Sequence, residues 1–269
     1  MKRIRRALRS GIAAAFLLGL GAGAAPAAQS DRFDMRFEIY GIAGMHLVTN
    51  RTSVETSGTR YAIAMSLTTR GLAGIFVKLD SHSQTHGSLV GGRVVPEEYG
   101  GEVRRNGKDQ QTRVDYGADG TIANDWNSPR IEQAAYVPAA QTRGTVDQLT
   151  AYFILERQLA ARNTCNATIP VFDGLHRYDL HFVDAPPQPL PENVVRYFPG
   201  PVQVCRMIRT QISGPADHEG TSSGKIWYAR LGRSGRMLPV QMQFDTELGA
   251  VKGYLAALHG DGLDLHLIK

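Results

Sequence analysis

From residue 60 the chain alternates between apolar and small or polar side chains. Tyr61, Ile63, Met65 and Leu67 fall on one side of an extended segment, and Ala62, Ala64, Ser66 and Thr68 fall on the other. The same period returns in Leu238, Val240, Met242 and Phe244, set against Pro239, Gln241, Gln243 and Asp245, and again in Leu263, Leu265 and Leu267. Successive side chains of a strand point to opposite faces, so this pattern predicts strands with one buried and one wetted face. Shorter runs near Phe37–Ile39, Ile75–Leu79, Val94–Tyr99, Thr112–Tyr116, Tyr178–Phe182, Val202–Ile208 and Lys225–Leu231 read the same way. Turn chemistry separates them: Asn106-Gly107, Asp119-Gly120 and Asp173-Gly174 suit tight reversals that require positive φ. Antiparallel neighbours follow from such short connections.

One segment departs from period two. In "GTVDQLTAYFILERQLAARN", Thr145 and Gln148 stand at capping-box spacing, and Leu149, Tyr152, Phe153, Glu156, Leu159 and Ala160 follow at helical intervals. This predicts one amphipathic helix at about 146–161, whose apolar stripe needs a sheet to lie against. The expected fold is mainly β: a strongly curved antiparallel sheet, an open barrel or β-spiral, with one packed α-helix. The Pro-rich "DAPPQPLPEN", residues 184–193, reads as a surface loop rather than a linker, because strands resume after it. Residues 29–269 are therefore expected to form a single domain.

Residues 1–28 follow a secretory plan. Lys2, Arg3, Arg5, Arg6 and Arg9 precede an apolar stretch from Gly11 to Leu20, and Ala25-Pro26-Ala27 supplies small residues for cleavage. This predicts export to the periplasm. The apolar stretch is too short to cross a bilayer about 30 Å thick, so the chain is not expected to span the membrane once the signal is removed. Removal also takes away five basic residues and no acidic ones, leaving 30 − 5 = 25 basic against 25 acidic. That balance gives no warrant for nucleic-acid binding. Cys165 and Cys205 are the only cysteines, and an oxidising compartment makes a disulfide between them the expected state.

Candidate chemistry is sparse. "GTSSG", residues 220–224, has the outline of a nucleophile elbow with Ser222 as its serine, and Ser222 with Lys225 forms an S-x-x-K pair. The elbow needs a strand-to-helix turn, whereas this stretch reads as a loop entering a strand. Asp80, His82 and His86 would share a strand face, but "SHSQTHG" reads as a solvated loop or strand end. His259, His266, Asp261 and Asp264 gather near the C terminus, and Asp173, His176, Arg177 and Asp179 surround a reversal. No metal signature or phosphate cradle occurs, so neither a metal nor a cofactor is expected. Tyr61, Met65, Met242 and Phe244 are the side chains expected to face a ligand if the sheet curls round a cavity.

Several motifs occur together in order: "GGRVVPEEY" at 91–99, the aspartate before the helix, "VFDGLHRYDL" at 171–180, and "LPV" at 238–240. In this order the chain resembles, from about residue 35 to its end, the bacterial family called domain of unknown function 3108. A fainter likeness in layout is to envelope-integrity β-spiral proteins and to lipoprotein carriers that wrap a half-closed sheet round a helix. The resemblance implies an exported, mostly β protein with no assigned reaction. The expected role is a non-enzymatic one in cell-envelope maintenance, binding an envelope protein or a lipid-like ligand. The alternative is a periplasmic hydrolase using Ser222 or a His/Asp cluster.

Overall fold

A computed structural model describes residues 30–41, 44–71, 78–130, 136–187, 202–215, 221–246 and 249–268. The segment predicted as a signal lies outside these residues, as do 75–77 of the predicted run at Ile75–Leu79 and 188–193 of the Pro-rich stretch. Seven strands run first: β1 (Ser30–Tyr40), β2 (His46–Ser57), β3 (Arg60–Thr69), β4 (Leu79–Val90), β5 (Arg93–Arg105), β6 (Lys108–Tyr116) and β7 (Ile122–Ser128). Two helices follow, α1 (Ala139–Thr142) and α2 (Gln148–Arg162). The chain then returns through β8 (Ala167–Phe172), β9 (Arg177–Ala185), β10 (Gln203–Ser213), β11 (Thr221–Leu231), β12 (Arg236–Thr246), β13 (Gly249–Gly260) and β14 (Leu263–His266).

All fourteen strands belong to one sheet, in the order β7-β6-β5-β4-β3-β2-β1-β13-β12-β11-β10-β9-β8, with β14 added beside β13. The pairs are antiparallel. The chain meanders outward from β1 to β7, crosses through the helices to the far end, and meanders back until β13 pairs with β1. Strands β7 and β8, at the two ends of the order, are not paired with each other, so the sheet is curled but not closed.

The register sets one apolar row across six strands: Phe33, Val54, Ile63, Thr85, Tyr99 and Val114 are successive partners, and all are buried. Full burial of one such apolar side chain stabilises by about 1.5–3 kcal/mol. Helix α2 lies on this face. Phe153 stacks on Tyr61 with ring centroids 5.1 Å apart, while Ala151, Leu155 and Leu159 pack with Tyr178, Leu180 and Phe182 of β9. The helix thus fills the hollow between the two halves of the sheet.

The structure refines the helix boundaries. The N-cap is Asp147, whose side chain accepts from the Thr150 N–H, and the helix starts at Gln148. Thr145, expected at that position, donates its hydroxyl to the Thr142 carbonyl instead, and the short α1 before it carried no apolar periodicity. Asn163, at φ 55°, ends α2 in the left-handed region.

Alternation slips in β12. A β-bulge opposite Trp227 and Tyr228 leaves Val240 as an extra residue, so Leu238 pairs with Ala229 while Met242 pairs with Ile226. Trp227 and Ala229 lie on the sheet face opposite Ile226 and Tyr228. Leu238 and Met242 therefore belong to opposite faces, although period two placed them together. Both faces are buried here: Ile226 and Tyr228 on one, Trp227, Ala229 and Leu238 on the other.

Candidate binding surface

A buried polar network fastens α2 to the sheet. The Asp147 carboxylate accepts from the Thr150 N–H at 2.9 Å and from the Thr150 hydroxyl at 2.6 Å. It also accepts from the Thr85 hydroxyl at 2.9 Å. Thr150 Oγ1 in turn lies 2.9 Å from the Tyr61 hydroxyl. Burial pushes the Asp147 carboxyl above its ordinary value against these hydrogen bonds, and it pushes the Tyr61 phenol up as well. Each atom of the network is engaged in joining helix to sheet. Tyr61 is accordingly a packed residue, 2 % exposed. Glu156 makes a second tie, 3.3 Å from Arg236, whose guanidinium lies over the Phe33 and Phe153 rings.

An open recess lies elsewhere. A trough of about 850 Å³ crosses β14, β13 and β1 to β7 at the level of Met35, Thr52, Met65, Ser83, Gly101 and Thr112. On most of these strands the residues on either side of that level line it, as Asp34 and Arg36 flank Met35, and Ala64 and Ser66 flank Met65. The neighbouring residues of the apolar row, Val54, Ile63, Tyr99 and Val114, do not. The trough therefore opens on the polar face, turned away from α2. A twisted sheet is saddle-shaped, which lets this second face be hollow too.

Its lining combines charge of both signs with a floor of small side chains. Arg113 donates to Glu98 at 2.8 Å and to Asp115 at 3.0 Å. The Asp34 carboxyl sits below its ordinary value because Arg32 donates to it. Trp126, on β7 and paired with Arg113, contributes an indole that is 43 % exposed.

Of the four side chains expected to face a ligand, Met65 lies at the level of this trough, but its side chain shares the face of Ile63 and packs against the apolar cluster there. Tyr61 is stacked under α2, Met242 packs against both apolar clusters, and Phe244 packs against the one beside β9. Cys165 and Cys205 form a disulfide and are fully buried. Ser222 lies within β11 opposite Arg209, so the stretch read as a loop is already strand and offers no strand-to-helix turn. Asp173 holds its reversal by accepting from the Leu175 and His176 N–H groups at 2.9 and 2.8 Å. The connection between β8 and β9 is four residues long, residues 173–176, and Arg177 is bound to Asp179.

"SHSQTHG", expected as a loop or strand end, runs through the middle of β4. Asp80 and His82 lie 3.1 Å apart, and His82 reaches the trough. At its far rim Asp264 lies 3.5 Å from His259 and 3.3 Å from His266, while Asp261 accepts from the Ser234 N–H. Among the described residues no group of three His, Cys, Asp or Glu side chains is arranged to hold a metal ion. Sequence reasoning missed Trp126 because "IANDWNS" carries no alternation, and the register alone reveals its neighbours.

These features define a class: a mainly β protein built as one large, unclosed antiparallel sheet around a plugging helix. A family model described as "Protein of unknown function (DUF3108)" matches residues 33–256, and the chain belongs to that family. Among solved structures the chain is similar to the crystal structure of a "Beta-barrel-like Protein of Domain of Unknown Function DUF1849 from Brucella abortus". The two are 13% identical, with 87% of this chain and 99% of that chain covered and a TM-score of 0.49. No curated protein matches the chain. Among the described residues no helix is long and apolar enough to cross a membrane.

Proposed function

We propose that this is an exported, non-enzymatic binding protein of the cell envelope, working in the periplasm through the polar trough of its sheet. The observation that carries the reading is the contrast between the two hollows. The apolar one holds α2 and its packed side chains, while the polar one is open. A lipid-like ligand would need Tyr61, Met65, Met242 and Phe244 to share a free apolar cavity, and Tyr61 is occupied with Phe153 and Thr150. A polar envelope component therefore suits the molecule better than a lipid. Export is supported by the basic and apolar plan of residues 1–28 and by the disulfide, which persists in oxidising compartments.

The test is affinity capture of the mature protein from periplasm, with co-purifying proteins, glycans and extractable lipids all identified. Reproducible retention of an envelope component, released by charge substitution at Arg113, is expected. Retention of lipid alone, or turnover of a periplasmic ester or amide by the purified protein, would overturn the reading.

A further inference from the structure

We propose that the polar trough is an oligosaccharide-binding cleft in which Trp126 is the stacking platform. This rests on the binding reading above and names the ligand class for the same surface. A sugar ring presents C–H bonds on its faces and hydroxyls round its rim. A protein holds one by laying an aromatic plane against a face and ranging polar side chains about the edge.

Trp126 supplies the plane. It stands in the trough with 43 % of its surface exposed, whereas the other tryptophan, Trp227, is 4 % exposed. Gln84, Gln111, Glu98, Glu102 and Arg113 supply donors and acceptors about it, and the Arg113 fork is fixed by its bonds to Glu98 and Asp115. Ser53, Ala64, Ser66 and Gly100 keep the floor low. At Gly100 an added Cβ would meet nothing nearer than Gln84 Cγ at 3.9 Å. Packing does not demand a glycine there, and its effect is to leave the cleft open.

The remaining chemistry narrows the class. Arg36, Arg51 and Arg113 face Asp34, Glu98, Glu102 and Asp264, a balance that favours neither a nucleic acid nor an anionic headgroup. Met35, Met65, Leu258 and Leu265 lie at the level of the trough but pack into the apolar cluster on the other face, which leaves Trp126 as its exposed aromatic; this is poor provision for a peptide anchored by buried hot spots. The recess crosses nine strands, β14, β13 and β1 to β7; at about 4.8 Å each this gives roughly 38 Å along the curve. Several linked sugar units fit that length.

The test uses the mature protein with two probes, the β-1,4-linked tetramer of N-acetylglucosamine and maltotetraose, read by tryptophan emission and by calorimetry. A saturable emission change from Trp126 with matching heat is expected for at least one tetramer. Trp126→Ala should weaken it about tenfold, and Trp126→Phe less than about threefold. Gly100→Leu, which fills the floor on the face away from the core, should abolish binding with an unchanged melting temperature. Absence of heat and emission change with both tetramers, or full affinity in Trp126→Ala, overturns the proposal. If the tetramers fail while an envelope protein is still captured, the ligand class is wrong and the binding reading stands. If neither is retained, both fall.

Discussion

At Asp147 one carboxylate starts a helix and ties it to a strand about sixty residues earlier in the chain. Asp147→Ala removes the cap and the partner of Thr85 and Thr150 together, so a loss of about 2 kcal/mol is expected in urea unfolding. Asp147→Asn keeps an acceptor for the Thr150 N–H and should recover about half of that. Glu156 governs a pH dependence. Burial raises its carboxyl from an ordinary 4.5 to about 7, outweighing the attraction of Arg236. Between those two values the folded protein holds a proton that the unfolded chain releases. Stability from this group is therefore full below about pH 4.5 and is lost as pH rises through 7. Asp147, also raised, acts in the same direction. Melting temperature followed from pH 4.5 to 8 should fall, and Glu156→Gln should flatten the slope. An unchanged slope would show that Glu156 is not the titrating group. The aspartate before the helix was visible in the sequence, but its role as cap was not: Thr145 and Gln148 had the right spacing, and only the position of β4 decides which acceptor the helix meets.

At the level of elements, α2 acts as a wedge with two working sides. Phe153→Ala strips the stack on Tyr61 and the ring beneath Arg236, and should cost about 3–5 kcal/mol, whereas Phe153→Leu should cost well under half of that. Denaturant midpoints for the two variants measure the difference. Strand β3 was legible, since Tyr61 and Ile63 are buried and Ala62 and Ala64 exposed, as period two requires. Strand β4 was not, because its inward positions are Ser81, Ser83, Thr85 and Gly87. The reason at Gly87 is space: a Cβ there would lie 2.7 Å from the Tyr61 ring and collide with the Val95 carbonyl oxygen. A bulky partner across the sheet thus erased the apolar signal of its neighbour. Gly87→Ala should accordingly destabilise by about 2 kcal/mol or more, whereas Gly100→Ala on the other face should be near neutral. In β12 the slip at Val240 could not be foreseen, because a bulge depends on the partner strand.

For the whole molecule, the Cys165–Cys205 bridge joins the turn before β8 to β10 across β9, closing a loop of 40 positions. Loop entropy assigns such a link roughly 4 kcal/mol. Cys165→Ala with Cys205→Ala should therefore lower the melting temperature markedly while leaving saccharide binding at the trough intact, since no strand of the trough is linked by it. A curved antiparallel sheet and its bridge were legible from turns, alternation and cysteine count. The trough was not, because it arises from side chains brought together by registers on nine strands, and no local spacing encodes them. The pairing of β1 with β13 was equally hidden, and it sets the order of assembly. A chain emerging N-terminus first presents β1 at once, yet the segment that completes it comes more than two hundred residues later, with Phe33 finally meeting Gly260. Until then one margin of β1 has unpaired amides and carbonyls, an invitation to foreign strands. The seam is the last to be sewn: β1 keeps its bare margin until β13 (Gly249–Gly260) has been made, and a chain cut short before Gly249 should aggregate where the full one does not, which light scattering would register.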